Sequence, residues 1–256
     1  MEFAYAGVDV GASRTKVAIL DPQKKLIGRS VEKSGTDFAQ TAGACMDSAL
    51  DMAGISRDII KHTISTGYGR RNVPFSDGTK TEIGCHALGA YHYFPMGMTI
   101  LDIGGQDNKV IKLDDQGRRL NFKMNRKCAA GTGAFLEEMS ARLDIPLEDM
   151  DSLSRKSSEM VELGSYCTVF SATEVLEKIR QGKKVPDIVK GLFYSVIKRV
   201  LEMDSLSERV VMTGGVVEHN PYIVEMVKDI TGLEILTPEY PQLTGAIGAA
   251  LFAMDA

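Results

Sequence analysis

Apolar and polar positions along this chain fall into short runs that repeat one pattern. From Gly7, the segment GVDVGASRTKVAILDPQKKLIGRSV predicts a strand ending in Asp-Val-Gly, a tight turn, a second strand, a polar turn and a third strand. From Leu101, LDIGGQDNKVIKLDDQGRRLNFKM predicts the same order. Apolar residues at helical spacing predict helices around Phe38 to Ala53, over residues 81–94, around Thr132 to Leu143 and over Thr168 to Gln181. Further on, ERVVMTGGVVEHNPYIVEMV reads as an apolar strand, the pair Gly214 and Gly215, and a helix opened near Asn220 and Pro221. The final LTGAIGAALFAM reads as a small-residue helix that packs closely on a neighbour.

The two strand-turn-strand segments are copies in register. Asp9 matches Asp102, Gly11 matches Gly104, Lys16 matches Lys109 and Asp21 matches Asp114, each pair 93 positions apart (102 minus 9, for instance). Each copy is followed by helical segments, so the expected fold class is α/β, with two lobes of mixed sheet and packed helices. The helix over 81–94 is expected to bridge the lobes. No low-complexity linker separates them, which implies that they meet at a cleft.

Composition narrows the function. The 256 residues carry 30 basic and 34 acidic side chains, a formal charge of -4, with no long block of one sign. That gives no electrostatic footprint for nucleic acid or an anionic membrane and leaves small molecules or proteins as partners. The opening MEFAYAGVDVG lacks a basic start and apolar stretch of a signal peptide, and no run approaches ~20 apolar residues, so a cytoplasmic location is expected. The four cysteines, Cys45, Cys85, Cys128 and Cys167, are widely spaced. In a reducing compartment disulfides are not expected, and any special role for a cysteine would be metal or redox chemistry.

The repeated turns suit phosphate. A glycine bend flanked by Ser or Thr aims several backbone N–H groups into one concavity. Gly11, Ala12, Ser13, Arg14, Thr15 and Lys16 would wrap one side of a triphosphate, and Gly104, Gly105 and Gln106 the other. Asp9 and Asp102 end the first strand of each copy, where carboxylates hold Mg2+ through water and one orients the attacking water. The plainer alternative is that each Asp caps its own bend, although a purely structural turn has no need to be duplicated with its lysine. Gly214 and Gly215 would let the backbone approach a base or ribose.

The order DVG, DIGG, TGG resembles the phosphate 1, phosphate 2 and adenosine motifs of the acetate and sugar kinase, Hsp70 and actin superfamily. That resemblance implies two ribonuclease-H-like lobes around an ATP cleft. Lobe I would span residues 1–95, completed by a C-terminal helix over 240–256, and lobe II residues 96–239.

Cys128 stands before a Gly-Thr-Gly turn with Thr132 as an expected N-cap, and Cys167 stands before the helix from Thr168. Thiolates there face the positive ends of helices, which favours an anionic cluster. Two cysteines per chain cannot complete an iron-sulfur site, but two copies of the chain pooling Cys128 and Cys167 supply four. Both could equally be small buried hydrophobes. The strings NRKCAAGTGAF and CTVF, with DIGGQD and VVMTGGVV, closely resemble the activator ATPases of 2-hydroxyacyl-CoA dehydratases and the related ATP-binding subunits of benzoyl-CoA reductase.

That resemblance implies a homodimer with one 4Fe-4S cluster held by Cys128 and Cys167 of both copies. It further implies ATP or ADP bound at the residues above together with Glu218 and Gln242. An electron would come from ferredoxin or flavodoxin and pass, driven by ATP hydrolysis, to an acyl-CoA dehydratase or reductase component. Two positions depart from the family pattern: Glu218 stands where the activators usually carry Gln, and Ala172 where they usually carry Glu. A small-molecule kinase shares the loops, but it would leave the cysteine segments without a purpose.

Overall fold

The computed structural model describes residues 3–126, 128–164 and 167–256. Three strands open the chain, β1 (Ala4–Val10), β2 (Arg14–Leu20) and β3 (Leu26–Lys33), followed by α1 (Phe38–Ala53), β4 (Ile60–Thr66), the short β5 (Gly78–Thr79) and α2 (Glu82–Tyr93). They form a five-stranded sheet in the order β3-β2-β1-β4-β5. β1 runs antiparallel to β2 and parallel to β4. Every residue of β1 is buried, as befits a central strand covered on both faces. α1 starts where the Asp37 side chain accepts the Gln40 N–H and stops at Gly54, whose φ of 65° ends it in the left-handed conformation. Its buried Ala42, Cys45, Met46, Ala49 and Leu50 recur at helical spacing and form one face on the sheet.

The second half repeats the plan. It holds β6 (Met98–Ile103), β7 (Asn108–Leu113), β8 (Arg119–Asn125), α3 (Gly133–Leu143), α4 (Met150–Ser154), α5 (Thr168–Arg180), α6 (Val185–Leu201), β9 (Arg209–Thr213), α7 (Gly215–His219), α8 (Tyr222–Thr231) and β10 (Glu234–Leu236). The sheet order is β10-β9-β6-β7-β8, the first sheet's order with each strand replaced by its counterpart. Phe135, Leu136 and Met139 of α3, Ile188, Leu192 and Val196 of α6, and Val210 and Met212 of β9 share one buried core.

The last helix, α9 (Thr244–Met254), returns to the first sheet. It packs against β1 and α2 at backbone contact: a Cβ on Gly7 would lie 1.9 Å from the Ala246 carbonyl oxygen, and one on Gly248 would lie 1.8 Å from that of Cys85. Glycine is the residue that permits this approach. α2, expected to bridge the lobes, lies wholly inside the first unit with α9.

The chain divides into two compact units, one of Met1–Gly97, Leu113–Leu120 and Leu243–Ala256, the other of Met98–Lys112 and Asn121–Gln242. Three stretches fall elsewhere than the sequence suggests, residues 96–97, 113–120 and 240–242. Residues 96–97 and 113–120 group with the first unit, where Asp115 accepts bonds from Tyr91 Oη and the Gly97 N–H. Residues 240–242 group with the second, where Pro241 and Gln242 bond to Gly214 and Glu218. Among the described residues no helix is long and apolar enough to cross a membrane.

Candidate functional site

In the first unit, Asp9 sits buried near the end of β1, opposite Lys16 in the strand register, and Lys16 Nζ donates to Asp9 Oδ2 at 3.0 Å. The turn closes by a bond from the Gly11 N–H to the Arg14 carbonyl at 3.0 Å. Ala12 is exposed, and Gly11, Ser13 and Arg14 are half-buried around it. Ser34 braces the turn from β3's end: its Oγ donates to the Gly11 carbonyl at 2.7 Å and lies 3.0 Å from Thr15 Oγ1. Asp9 is closely surrounded. A Cβ on Gly67 would lie 2.5 Å from Asp9 Oδ1, and one on Gly245 would lie 3.2 Å from Asp9 Oδ2 and 3.1 Å from His86 Nε2. Ser34, Gly67 and His86 escaped the sequence reading, because their partners come from distant segments.

In the second unit, Lys109 is buried between two carboxylates, donating to Asp102 Oδ2 at 3.0 Å and Asp107 Oδ1 at 2.9 Å. Thr213 stands opposite Asp102 in the β6–β9 register, and its hydroxyl donates to Asp102 Oδ1 at 2.9 Å. The Gly104 N–H bonds the Asp107 carbonyl at 2.9 Å; Gly104 and Gly105 are half-buried, and Gln106 is exposed.

The Gly-Gly step follows β9 directly. Gly214 has φ +101°, its N–H donates to the Pro241 carbonyl at 3.0 Å, and a Cβ there would lie 2.3 Å from the Ile103 carbonyl oxygen, so only glycine fits. The expected single helix from Asn220 is instead two: the short α7 begins at Gly215, and α8 follows Pro221. Gln242 lies over Gly215, with Nε2 3.0 Å from where a Cβ on that glycine would stand, and the Gln242 N–H donates to Glu218 Oε2 at 3.2 Å. Gly214, Gly215, Glu218 and Gln242 are thus brought together. Glu218, the departure from the family pattern, has a carboxylate oxygen bonded to the loop that carries Gln242.

Cys128 is half-buried in the loop from β8 to α3, and its carbonyl accepts Asn125 Nδ2 at 3.1 Å. Thr132 takes the N-cap position but not the capping role: its hydroxyl turns back to the Ala129 carbonyl at 2.6 Å. The first amides of α3 bond instead to the turn after β6, Gly133 N–H to the Gly104 carbonyl at 2.9 Å and Ala134 N–H to that of Gly105 at 2.8 Å. Cys167 is exposed and is itself the N-cap residue of α5, its carbonyl accepting the Ser171 N–H at 2.8 Å. Lys127, Ser165 and Tyr166 of the two cysteine strings lie outside the described residues. Ala172, the second departure, is 5% exposed and packed in the core, where a glutamate would be buried.

The other cysteines differ in kind. Burial pushes the Cys45 thiol up to about 11 and the Cys85 thiol up to about 12, which keeps both protonated and inert near neutrality. Among the described residues no three His, Cys, Asp or Glu side chains gather as a metal site. The donor set one chain offers is therefore two accessible thiols ahead of two helices, half of what a four-thiolate cluster takes.

Known proteins match this arrangement along its whole length. The activator of lactoyl-CoA dehydratase from Anaerotignum propionicum is 40% identical over 253 residues, 98% of this chain and 97% of that protein. The solved activator of the 2-hydroxyisocaproyl-CoA dehydratase from Clostridium difficile, with bound ADPNP, is 39% identical and superposes with a TM-score of 0.93 over 99% of this chain and 95% of its own. A ROK family glucokinase from Streptomyces griseus, at 11% identity and a TM-score of 0.60 over 99% of this chain and all of its own, shares the fold alone. The two five-stranded sheets are thus a fold that this sugar kinase shares. Residues 6–253 match one family from end to end, and the chain belongs to it: the BadF/BadG/BcrA/BcrD ATPase family.

Proposed function

We propose that this chain is an activator ATPase that uses ATP hydrolysis to drive one electron at a time into a 2-hydroxyacyl-CoA dehydratase. The observation that carries the reading is the sorting of the cysteines: Cys128 and Cys167 are the accessible pair, each just ahead of a helix, in the unit that also holds the second phosphate turn. Its relatives, named as activators of acyl-CoA dehydratases, support it. They act with different acyl-CoA enzymes, a lactoyl-CoA dehydratase for one and a 2-hydroxyisocaproyl-CoA dehydratase for the other.

In this reading the backbone N–H groups of Ala12, Ser13, Arg14 and Thr15, with Lys16, take one side of the triphosphate, and Gly104, Gly105 and Gln106 the other. Asp102 would hold Mg2+, which would supply positive charge to the phosphates, and Asp9, fixed by Lys16, would orient the attacking water. Gly214, Gly215 and Gln242 receive the adenosine, with Glu218 ordering the Gln242 loop through the bond described above. Cys128 and Cys167 of two copies of the chain hold one 4Fe-4S cluster. When bound, it supplies a one-electron store, filled by ferredoxin or flavodoxin.

The test is anaerobic purification followed by iron, sulfide, nucleotide and ATP-turnover assays on the native chain and on a Cys128→Ser, Cys167→Ser double variant. The native protein is expected to be a dimer with iron and sulfide and slow ATP turnover. The double variant is expected to lose iron while binding ADP. Iron retained in the double variant, together with undiminished dehydratase activation, would overturn the reading.

A further inference from the structure

Asn108 begins β7, two residues past the exposed tip of the second turn, and is 1% exposed. Its Nδ2 donates to the Gly131 carbonyl at 2.6 Å, three residues after Cys128. Among the described residues its Oδ1 has no hydrogen-bond partner, an unusual condition for a buried amide and one that calls for a reason beyond packing. Turn closure is not that reason, since the Gly104 N–H to Asp107 carbonyl bond closes the turn without it. Nor does the repeat require an amide: the matching residue of the first copy, 93 positions earlier, is Thr15, whose hydroxyl meets Ser34.

The bond to Gly131 is one of three that run from the same turn to the same loop. The carbonyls of Gly104 and Gly105 take the first amides of α3, groups that a helix start ordinarily bonds to a capping side chain or water. Thr132 is turned away to Ala129, so the turn is the cap. Gly131 itself has φ +84°, and a Cβ there would lie 2.8 Å from Arg199 Cβ, so the loop has little room to adjust independently. From the other side Asn125 holds the Cys128 carbonyl. A displacement of the turn that follows the nucleotide's phosphates must therefore shift the start of α3 or break these bonds.

We propose that Asn108 is the positioning residue through which the second phosphate turn reports nucleotide state to Cys128, with the Gly104 and Gly105 carbonyls as the rest of the link. The inference rests on the reading above that the turn holds phosphate. A half-bonded buried amide suits this role, because it can exchange partners as the turn moves, giving the two discrete arrangements that coupling requires.

The test uses the full chain freed of iron, so that its readout is independent of electron transfer. Alkylation of Cys128 is timed by mass spectrometry with ADP and with a non-hydrolysable ATP analogue, and the affinity for each nucleotide is measured by calorimetry. The native chain is expected to show about a tenfold difference in Cys128 alkylation between the two nucleotides. Asn108→Thr, which installs the first copy's residue, is expected to bring that ratio within about twofold while nucleotide affinity changes less than threefold. Asn108→Asp, equal in shape but without the donor, is expected to do the same and serves if the threonine variant folds poorly. A merely structural role would lower stability and raise both rates together, leaving the ratio intact. Retention of the ratio in a folded variant overturns the coupling alone, as does a native chain that binds both nucleotides with equal Cys128 rates. Failure of either nucleotide to bind overturns the proposed function as well.

Discussion

The hairpin of β1 and β2 and that of β6 and β7 close alike but hold different things. The Gly11-to-Arg14 and Gly104-to-Asp107 bonds are 3.0 and 2.9 Å, and the matched Lys16-to-Asp9 and Lys109-to-Asp102 bonds are both 3.0 Å. Even the outer turns agree: Asp21 Oδ1 accepts the N–H groups of Gln23 and Lys25 as Asp114 Oδ1 accepts those of Gln116 and Arg118. The copies part at the positions between. Where the first has Arg14 beside Lys16, the second has Asp107 beside Lys109, so the first turn presents two cations against Asp9 and the second two carboxylates against one cation. A positive turn suits phosphate charge and a negative one suits a metal ion's water shell. On the proposed function, the repeated frame would thus serve two different tasks.

The same division runs through the cysteines and gives the largest effect. Cys45 and Cys85 lie in the first unit with thiols pushed up to about 11 and about 12, while Cys128 and Cys167 lie in the second within reach of solvent. At pH 8 the thiolate of Cys45 is scarcer than that of an ordinary thiol by about a hundredfold, and that of Cys85 by about a thousandfold. Iodoacetamide on the folded, iron-free chain is expected to label Cys128 and Cys167 and leave the other pair. Cys45 should begin to react only as the pH climbs toward 11, since a raised thiol value means the protonated form persists up to it. Equal labelling of Cys45 and Cys167 at pH 8 in folded protein would erase the contrast.

The matched lysines give the next effect. Side-chain exposure is 16% for Lys16 and 6% for Lys109. Lys109→Met leaves Asp102 buried beside Asp107 without its cation and is expected to cost about 3–5 kcal/mol. Lys16→Met takes the more exposed of the two lysines from a carboxylate that is itself buried and is expected to cost less, about 2–3 kcal/mol, with nucleotide affinity falling more than stability. Urea unfolding of both variants checks this. Equal costs would mean that the two turns are equivalent supports.

What could be read in advance follows from where the information sits. The repeat was legible because the Asp-x-Gly bend, its lysine and the outer Asp turn are local devices, written in adjacent residues. Gly214 and Gly215 were legible for the same reason. Ser34, Thr213, Asn108, Gly67 and His86 were not, since each acts on a residue brought near by sheet pairing or helix packing. Thr132 shows how a local rule yields. An N-cap is normally satisfied by its own side chain, but here the Gly104 and Gly105 carbonyls reach the amides first. A short α7 was hidden likewise, because the Pro241 carbonyl fixes Gly214 from beyond β10.

The smallest effect separates bracing from folding. In the first copy Ser34 ties the Gly11 carbonyl to Thr15, whose own carbonyl accepts the buried Cys45 thiol at 3.5 Å, so these bonds lead to Cys45 and not to Cys128. Ser34→Ala removes one buried hydroxyl, an expected loss of about 1 kcal/mol, or about 2–4 °C in Tm for a chain of this size. Because the lost bond holds the turn's first carbonyl, ADP affinity is expected to weaken several-fold. The nucleotide-dependent ratio of Cys128 alkylation should stay at its native value, in contrast to Asn108→Thr at the matching place of the other copy. If Ser34→Ala abolished that ratio while both nucleotides still bound, the two turns would be acting on Cys128 together, and the division of labour between them would have to be abandoned.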